Sequence, residues 1–198
     1  DVTADCPMAH MVTVDRIKEV REQYDDVAVV CYVNSTAEIK AVSDVCVTSS
    51  NAIKVVKNIK NKRIFFVPDN NLGRYVAKQL PEKEFIFNDG FCHVHKSIDP
   101  KLVAEAKEHH PDALVLAHPE CTEDVLELAD YIGSTAGILD YATESKCKKF
   151  IICTEMGIFF KLSKQNPDKK FYSVGHRQFC PNMKKVSLEK VAAVMENP

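Results

Sequence analysis

Short runs of β-branched and apolar residues recur along the chain, with more polar, helix-like stretches between them. Val27 to Val33 is such a run and predicts a buried strand; so does Ala113 to Ala117. A polar helix is predicted before each, over Val14 to Tyr24 and Pro100 to His109, the second opened by Asp99 as N-cap and Pro100 at the first helical position. After each strand the pattern predicts a helix (Ala37 to Val42; Glu123 to Leu128), a turn at Asp44 or Asp130, and a short strand. Further helices are predicted over Asn51 to Asn58 and Ala136 to Glu144, then strands over Ile64 to Val67 and Phe150 to Cys153. Helices over Leu72 to Gln79 and Gly157 to Gln165 close each set, and Phe85 to Phe87 and Lys170 to Tyr172 follow as short strands.

The two sets are copies. A shift of 86 residues carries Cys6 onto Cys92, Tyr32 onto His118, Asn34 onto Glu120, Asp44 onto Asp130, Thr48-Ser49 onto Ser134-Thr135 and Asp69 onto Glu155, without a gap. A third copy begins at Cys180, 88 residues after Cys92, where Cys180-Pro181-Asn182-Met183 echoes Cys6-Pro7-Met8-Ala9. An amphipathic helix is predicted from Ser187 to Met195, and no strands follow it. The expected fold class is α/β: repeated small three-layer αβα units with parallel sheets in a pseudo-threefold arrangement, the third unit incomplete. The units are expected at residues 1–89, 90–175 and 176–198. Ligands of such sheets sit beyond the carboxyl ends of the strands, where Tyr32, Asn34, Asp69, His118, Glu120 and Glu155 fall.

Composition narrows the function. The 198 residues carry 26 Lys and Arg against 28 Asp and Glu, a net charge of -2 that gives no sign of a nucleic-acid surface. No apolar run reaches the length of a membrane span, and residues 1–11 do not pattern as a signal peptide. A cytoplasmic setting is expected. Eight cysteines is a high count for such a chain, and no Cys-x-x-Cys pair occurs. Cys31, Cys46 and Cys153 sit in apolar strand runs and read as core fillers. Cys121 is the best competing ligand, but position 35, its repeat partner, is Ser; Cys147 has no evident role.

Cys6, Cys92 and Cys180 occupy the same place in successive units. Singly each would read as a turn or core residue; their equal spacing favours one shared centre. Three soft thiolates suit zinc or an iron–sulfur cluster, and a cluster held by three of its usual four cysteines keeps one open iron.

Nine ordered motifs then carry a resemblance. They begin with Cys-Pro-Met-Ala-His-Met at Cys6, Tyr-Val-Asn-Ser-Thr-Ala-Glu at Tyr32, Val-Thr-Ser-Ser-Asn-Ala at Val47 and Pro-Asp-Asn-Asn-Leu-Gly-Arg-Tyr-Val-Ala at Pro68. They continue with Gly-Phe-Cys-His-Val-His at Gly90, His-Pro-Glu-Cys at His118, Gly-Ser-Thr-Ala-Gly at Gly133, Thr-Glu-Met-Gly at Thr154 and Cys-Pro-Asn-Met-Lys-Lys at Cys180. Together they resemble the quinolinate synthase family over nearly the whole chain. The resemblance implies three α/β domains around a 4Fe–4S cluster. It implies condensation of iminoaspartate with dihydroxyacetone phosphate to quinolinate in NAD biosynthesis, in functional coupling with an L-aspartate oxidase or dehydrogenase. It implies Cys6, Cys92 and Cys180 as cluster ligands, and His118 and Glu120 as an acid–base pair with His95 near the cluster. Tyr32 and Asn34 would orient substrate, and Ser49, Ser134 and Thr135 would bind carboxylate or phosphate.

Three features depart from the family pattern. Its segment before the Cys6 motif, with a His-x-Tyr element and a serine, has no match here, so a chain lacking that segment is expected. Lys96 stands where an acidic residue is common, and Cys153 where a small one is usual. The alternative is a catalytically inactive metal-binding module, holding zinc or sensing redox state through the same cysteines.

Overall fold

A computed structural model of the chain describes residues 1, 3–175 and 178–196; the expected unit boundary at residue 176 lies outside them. A 3-10 turn over Pro7–His10 leads into α1 (Val14–Gln23), β1 (Val27–Tyr32), α2 (Ala37–Ala41), β2 (Val45–Val47), α3 (Ala52–Lys57), β3 (Arg63–Val67), α4 (Asn70–Gln79) and β4 (Glu84–Phe87). The order then repeats with α5 (His93–Lys96), α6 (Pro100–His109), β5 (Leu114–Ala117), α7 (Glu123–Glu127), β6 (Tyr131–Ile132), α8 (Thr135–Glu144), β7 (Lys149–Cys153), α9 (Ile158–Gln165) and β8 (Lys170–Ser173). A 3-10 turn over Met183–Lys185 and α10 (Leu188–Glu196) follow, and among the described residues no strand comes after Ser173.

The chain is α/β, with two parallel four-stranded sheets ordered β2-β1-β3-β4 and β6-β5-β7-β8. Val30 pairs with Phe66 and Cys31 with Val67, as Leu116 pairs with Ile152 and Ala117 with Cys153 in the second sheet. Both faces of each sheet are covered, which is why the strands read as continuous apolar runs. On one face of the first sheet α1 and α2 bring Ile17, Val20 and Ile39 onto Val29, Phe65 and Val67. On the other face α3 and α4 bring Val56, Leu72 and Val76 onto Val30, Ile64 and Phe66. The second unit repeats this with Val103 and Val125 on Val115 and Ile151, and with Ile138 and Leu162 on Leu116 and Ile152.

The copies share their polar joints. Asp44 accepts from the backbone N of Val29 at 2.7 Å and donates its own N–H to Val29 O; Asp130 does the same with Val115, at 2.8 Å. Asn70 N donates to Gly90 O and Met156 N to Gln178 O, both at 2.8 Å, so each strand end is tied to the loop that carries the next cysteine. Gly90 is required at its joint, because a Cβ there would stand 2.3 Å from Pro68 O.

Three expectations need correction. Cys46 is exposed rather than a core filler, because along β2 its side chain points away from the face on which Val45 and Val47 pack. Strand β1 ends at Tyr32, before Val33, where a tight Ser35 N to Val33 O turn begins. Cys121 is buried and donates to Cys153 O, packed in the core of the second unit. Cys147 lies half-buried, with Lys149 O as an acceptor.

Candidate active site

The carboxyl ends of both sheets open on one cavity of about 980 Å³. Cys6, Cys92 and Cys180 line it together with Tyr32, Asn34, His95, His118, Glu120 and Thr135. All three cysteines are half-buried free thiols. Cys6 and Cys92 are each the N-cap of a short helical turn, with nearly the same backbone (φ -90, ψ 114; φ -78, ψ 117). Backbone N–H groups of Met8 and Ala9 face the Cys6 sulfur, and those of Val94 and His95 face Cys92. Such donors favour a thiolate, yet burial pushes both thiols up, Cys92 to about 12, with the Glu120 charge adding to that shift.

Asp69 and Glu155, whose role the sequence left open, brace these loops. Asp69 caps α4 through Leu72 N at 2.7 Å and accepts from Cys92 N at 3.0 Å. Glu155 accepts from Gly157 N at 2.6 Å and Cys180 N at 3.4 Å, and pairs with Lys184 at 3.0 Å. Burial and the Glu120 charge raise the Asp69 carboxyl well above its ordinary range.

The polar centre is buried. His95 Nδ1 lies 2.7 Å from Glu120 Oε2 and 3.2 Å from Cys92 Sγ, while His95 Nε2 meets Thr154 Oγ1 at 2.9 Å. The His118 ring stacks on His95 with centroids 4.5 Å apart. Its Nδ1 accepts from Glu120 N at 3.3 Å, so the tautomer assigned by this network places the proton on Nε2, facing Ser49 Oγ at 3.2 Å. Burial, with His95 alongside, lowers His118 to about 4, so the ring is neutral at pH 7. Burial would raise Glu120, but the hydrogen bond from His95 and the flanking imidazoles outweigh it and hold the carboxyl below its usual range. Glu120 Oε1 is buried without a hydrogen-bond partner. The Tyr32 phenol is pushed up by burial and by Glu120, and stays protonated.

The predicted residues therefore converge, with two exceptions. Ser49 touches the site through His118 rather than lining the cavity, and Ser134 spends its hydroxyl capping α8 through Gly137 N at 3.1 Å. Thr154, Lys161 and Lys184 line the cavity without having been foreseen. Only the Asp69–Glu155 repeat held a signal for the unforeseen bracing; Thr154 meets His95 across 59 residues of chain.

The family model described as quinolinate synthetase A protein matches residues 1–198. The chain is 53% identical over 191 residues to a quinolinate synthase of Caldicellulosiruptor saccharolyticus, covering 96% of this chain and 63% of that protein. It is 52% identical over 195 residues to one of Fusobacterium nucleatum (98% and 65%) and 50% identical over 194 residues to one of Clostridioides difficile (98% and 64%). The chain thus spans a little under two thirds of the length of these relatives. Matched along all 198 residues and half identical to named relatives, it belongs to the quinolinate synthetase A family.

Proposed function

We propose that this chain carries the catalytic centre of a quinolinate synthase acting in the cytoplasm. It would condense iminoaspartate with dihydroxyacetone phosphate, the imine being supplied by an L-aspartate oxidase or dehydrogenase. The observation that carries the reading is the meeting of three repeat-equivalent thiols with a buried His95–Glu120–His118 set on one cavity.

The donor set fits a 4Fe–4S cluster held by Cys6, Cys92 and Cys180: three free thiols in soft-ligand chemistry, two with backbone N–H groups turned to the sulfur. Such a cluster supplies a Lewis acid at its open iron. Glu120, ionised and with one oxygen unspent, accepts a proton from bound substrate; neutral His118, its Nδ1 taken by the Glu120 backbone N–H, serves as a donor through Nε2. Tyr32 remains a donor to a substrate oxygen. The N-termini of α8 and α9 reach the cavity at Thr135, Ala136, Gly157 and Ile158, with Lys161 and Lys184 beside them, a setting that suits phosphate.

Anaerobic reconstitution tests the reading. About four iron and four sulfide per chain are expected, lost in Cys6→Ser, Cys92→Ser and Cys180→Ser. In a chain of the relatives' length, Glu120→Gln and His118→Asn should lower quinolinate formation by at least ~100-fold. The competing reading, an inactive zinc or redox-sensing module, predicts a colourless protein after the same reconstitution.

A further inference from the structure

Cys92, His95 and Glu120 form a smaller set inside this cavity that the thiol trio does not explain. Their ligand atoms all lie within 4.8 Å of one another. Cys92 stands at the N-cap position of α5 and His95 follows three residues later, so the helix turn stacks both on one face. Glu120 reaches them from the loop after β5 and leaves Oε1 buried and unpartnered. The far nitrogen of His95 is fixed by Thr154 Oγ1 at 2.9 Å, the kind of outer contact that orients a metal-bound imidazole.

We infer that the cluster-free protein binds one zinc-class divalent cation through Cys92 Sγ, His95 Nδ1 and the Glu120 carboxylate. Mixed sulfur, nitrogen and oxygen donors suit Zn(II), and three protein ligands leave a fourth position for water or an anion in the cavity. The cation stands between groups that now contact each other directly, and gives the orphaned Glu120 oxygen a partner. Cys92 cannot serve this ion and a cluster together. The cation-loaded chain is therefore closed to cluster assembly, a consequence that rests on the function proposed above, whereas the cation site itself does not.

The test is titration of chelator-stripped, reduced chain with Zn(II) by calorimetry, and with Co(II) as an absorbing substitute. One equivalent should bind, with a thiolate-to-cobalt charge-transfer band and the strong visible bands of a four-coordinate ion. Glu120→Gln and His95→Ala should weaken binding at least ~10-fold, the size of loss that even outer contacts produce. Cys6→Ser and Cys180→Ser should leave the affinity within about twofold of wild type, well short of that loss. Circular dichroism of each variant separates misfolding from ligand loss, and Glu120→Gln preserves shape if His95→Ala does not fold. Binding that survives Glu120→Gln, or that falls equally in Cys6→Ser or Cys180→Ser, overturns the site and puts the ion on the three thiols. A chain that binds zinc as described but takes up no iron and sulfide sinks the cluster reading alone.

Discussion

His118 is held neutral inside the protein, and that has a cost in acid. An unfolded histidine titrates near its ordinary value of 6.5, while burial holds the folded ring at about 4. Between those values the unfolded chain binds more protons, so stability falls as pH drops from about 6.5 towards 4. From pH 7 to pH 5 the term amounts to about 2 kcal/mol. Asp69 and Glu120 add terms of their own, so the readout is the difference between wild type and His118→Asn in urea unfolding at both pH values. Wild type should lose about 2 kcal/mol more than the variant over this interval; equal losses would mean that His118 is not held neutral. Asp69 makes a second prediction. Asp69→Ala strips acceptors from two backbone N–H groups and should cost roughly 3 kcal/mol, whereas Glu155→Ala, at a more open joint beside Lys184, should cost about 1 kcal/mol. Equal values in denaturant would refute the asymmetry. The cysteines were legible because the repeat set them at equal spacing, and His118 and Glu120 because the apolar run ends just before them and the His-Pro-Glu-Cys motif carries the family resemblance. Thr154 and Lys161 were not, since their roles depend on how the folded chain brings distant loops to one wall.

Repetition also shows which helix leaves its apolar row exposed. Helices α1, α6 and α10 begin at Val14, Pro100 and Leu188, spaced as the cysteines are. In that register Ile17, Val103 and Val191 are equivalent, yet Ile17 is 1% exposed, Val103 0% and Val191 44%. Leu188, Val194 and Met195 are exposed as well. Ile17→Ala should therefore cost about 3 kcal/mol and Val103→Ala about 2 kcal/mol through lost burial and a residual cavity, while Val191→Ala should stay within about 0.5 kcal/mol. Thermal or urea unfolding of the three variants decides it, and a costly Val191→Ala would show that α10 packs on this chain. Long elements were readable from their apolar period. The four-residue α5 and the 3-10 turn after Cys6 were not, because a single turn is too short to show an apolar period.

At the scale of the molecule, the relatives are longer than the stretch they share with this chain. The 191 aligned residues make up 63% of the Caldicellulosiruptor protein, so that protein has about 300 residues (191 divided by 0.63), roughly 110 of them beyond the alignment. One unit here repeats every 86 to 88 residues, so the extra length can hold one more sheet. If that sheet covers α10 as β1 covers α1, the apolar row of α10 passes from water to core, and the Cys180 loop at its start becomes as firmly seated as the loops of Cys6 and Cys92. In a chain extended to the relatives' length, Val191→Ala should then cost about 2 kcal/mol instead of nearly nothing. Backbone amides of α10 should exchange hydrogen as slowly as those of α1. Both follow from burial alone and need no cluster. Fast exchange along α10 in the longer chain, with α1 protected, would mean that the third repeat is a terminal helix and that two units, not three, frame the cavity.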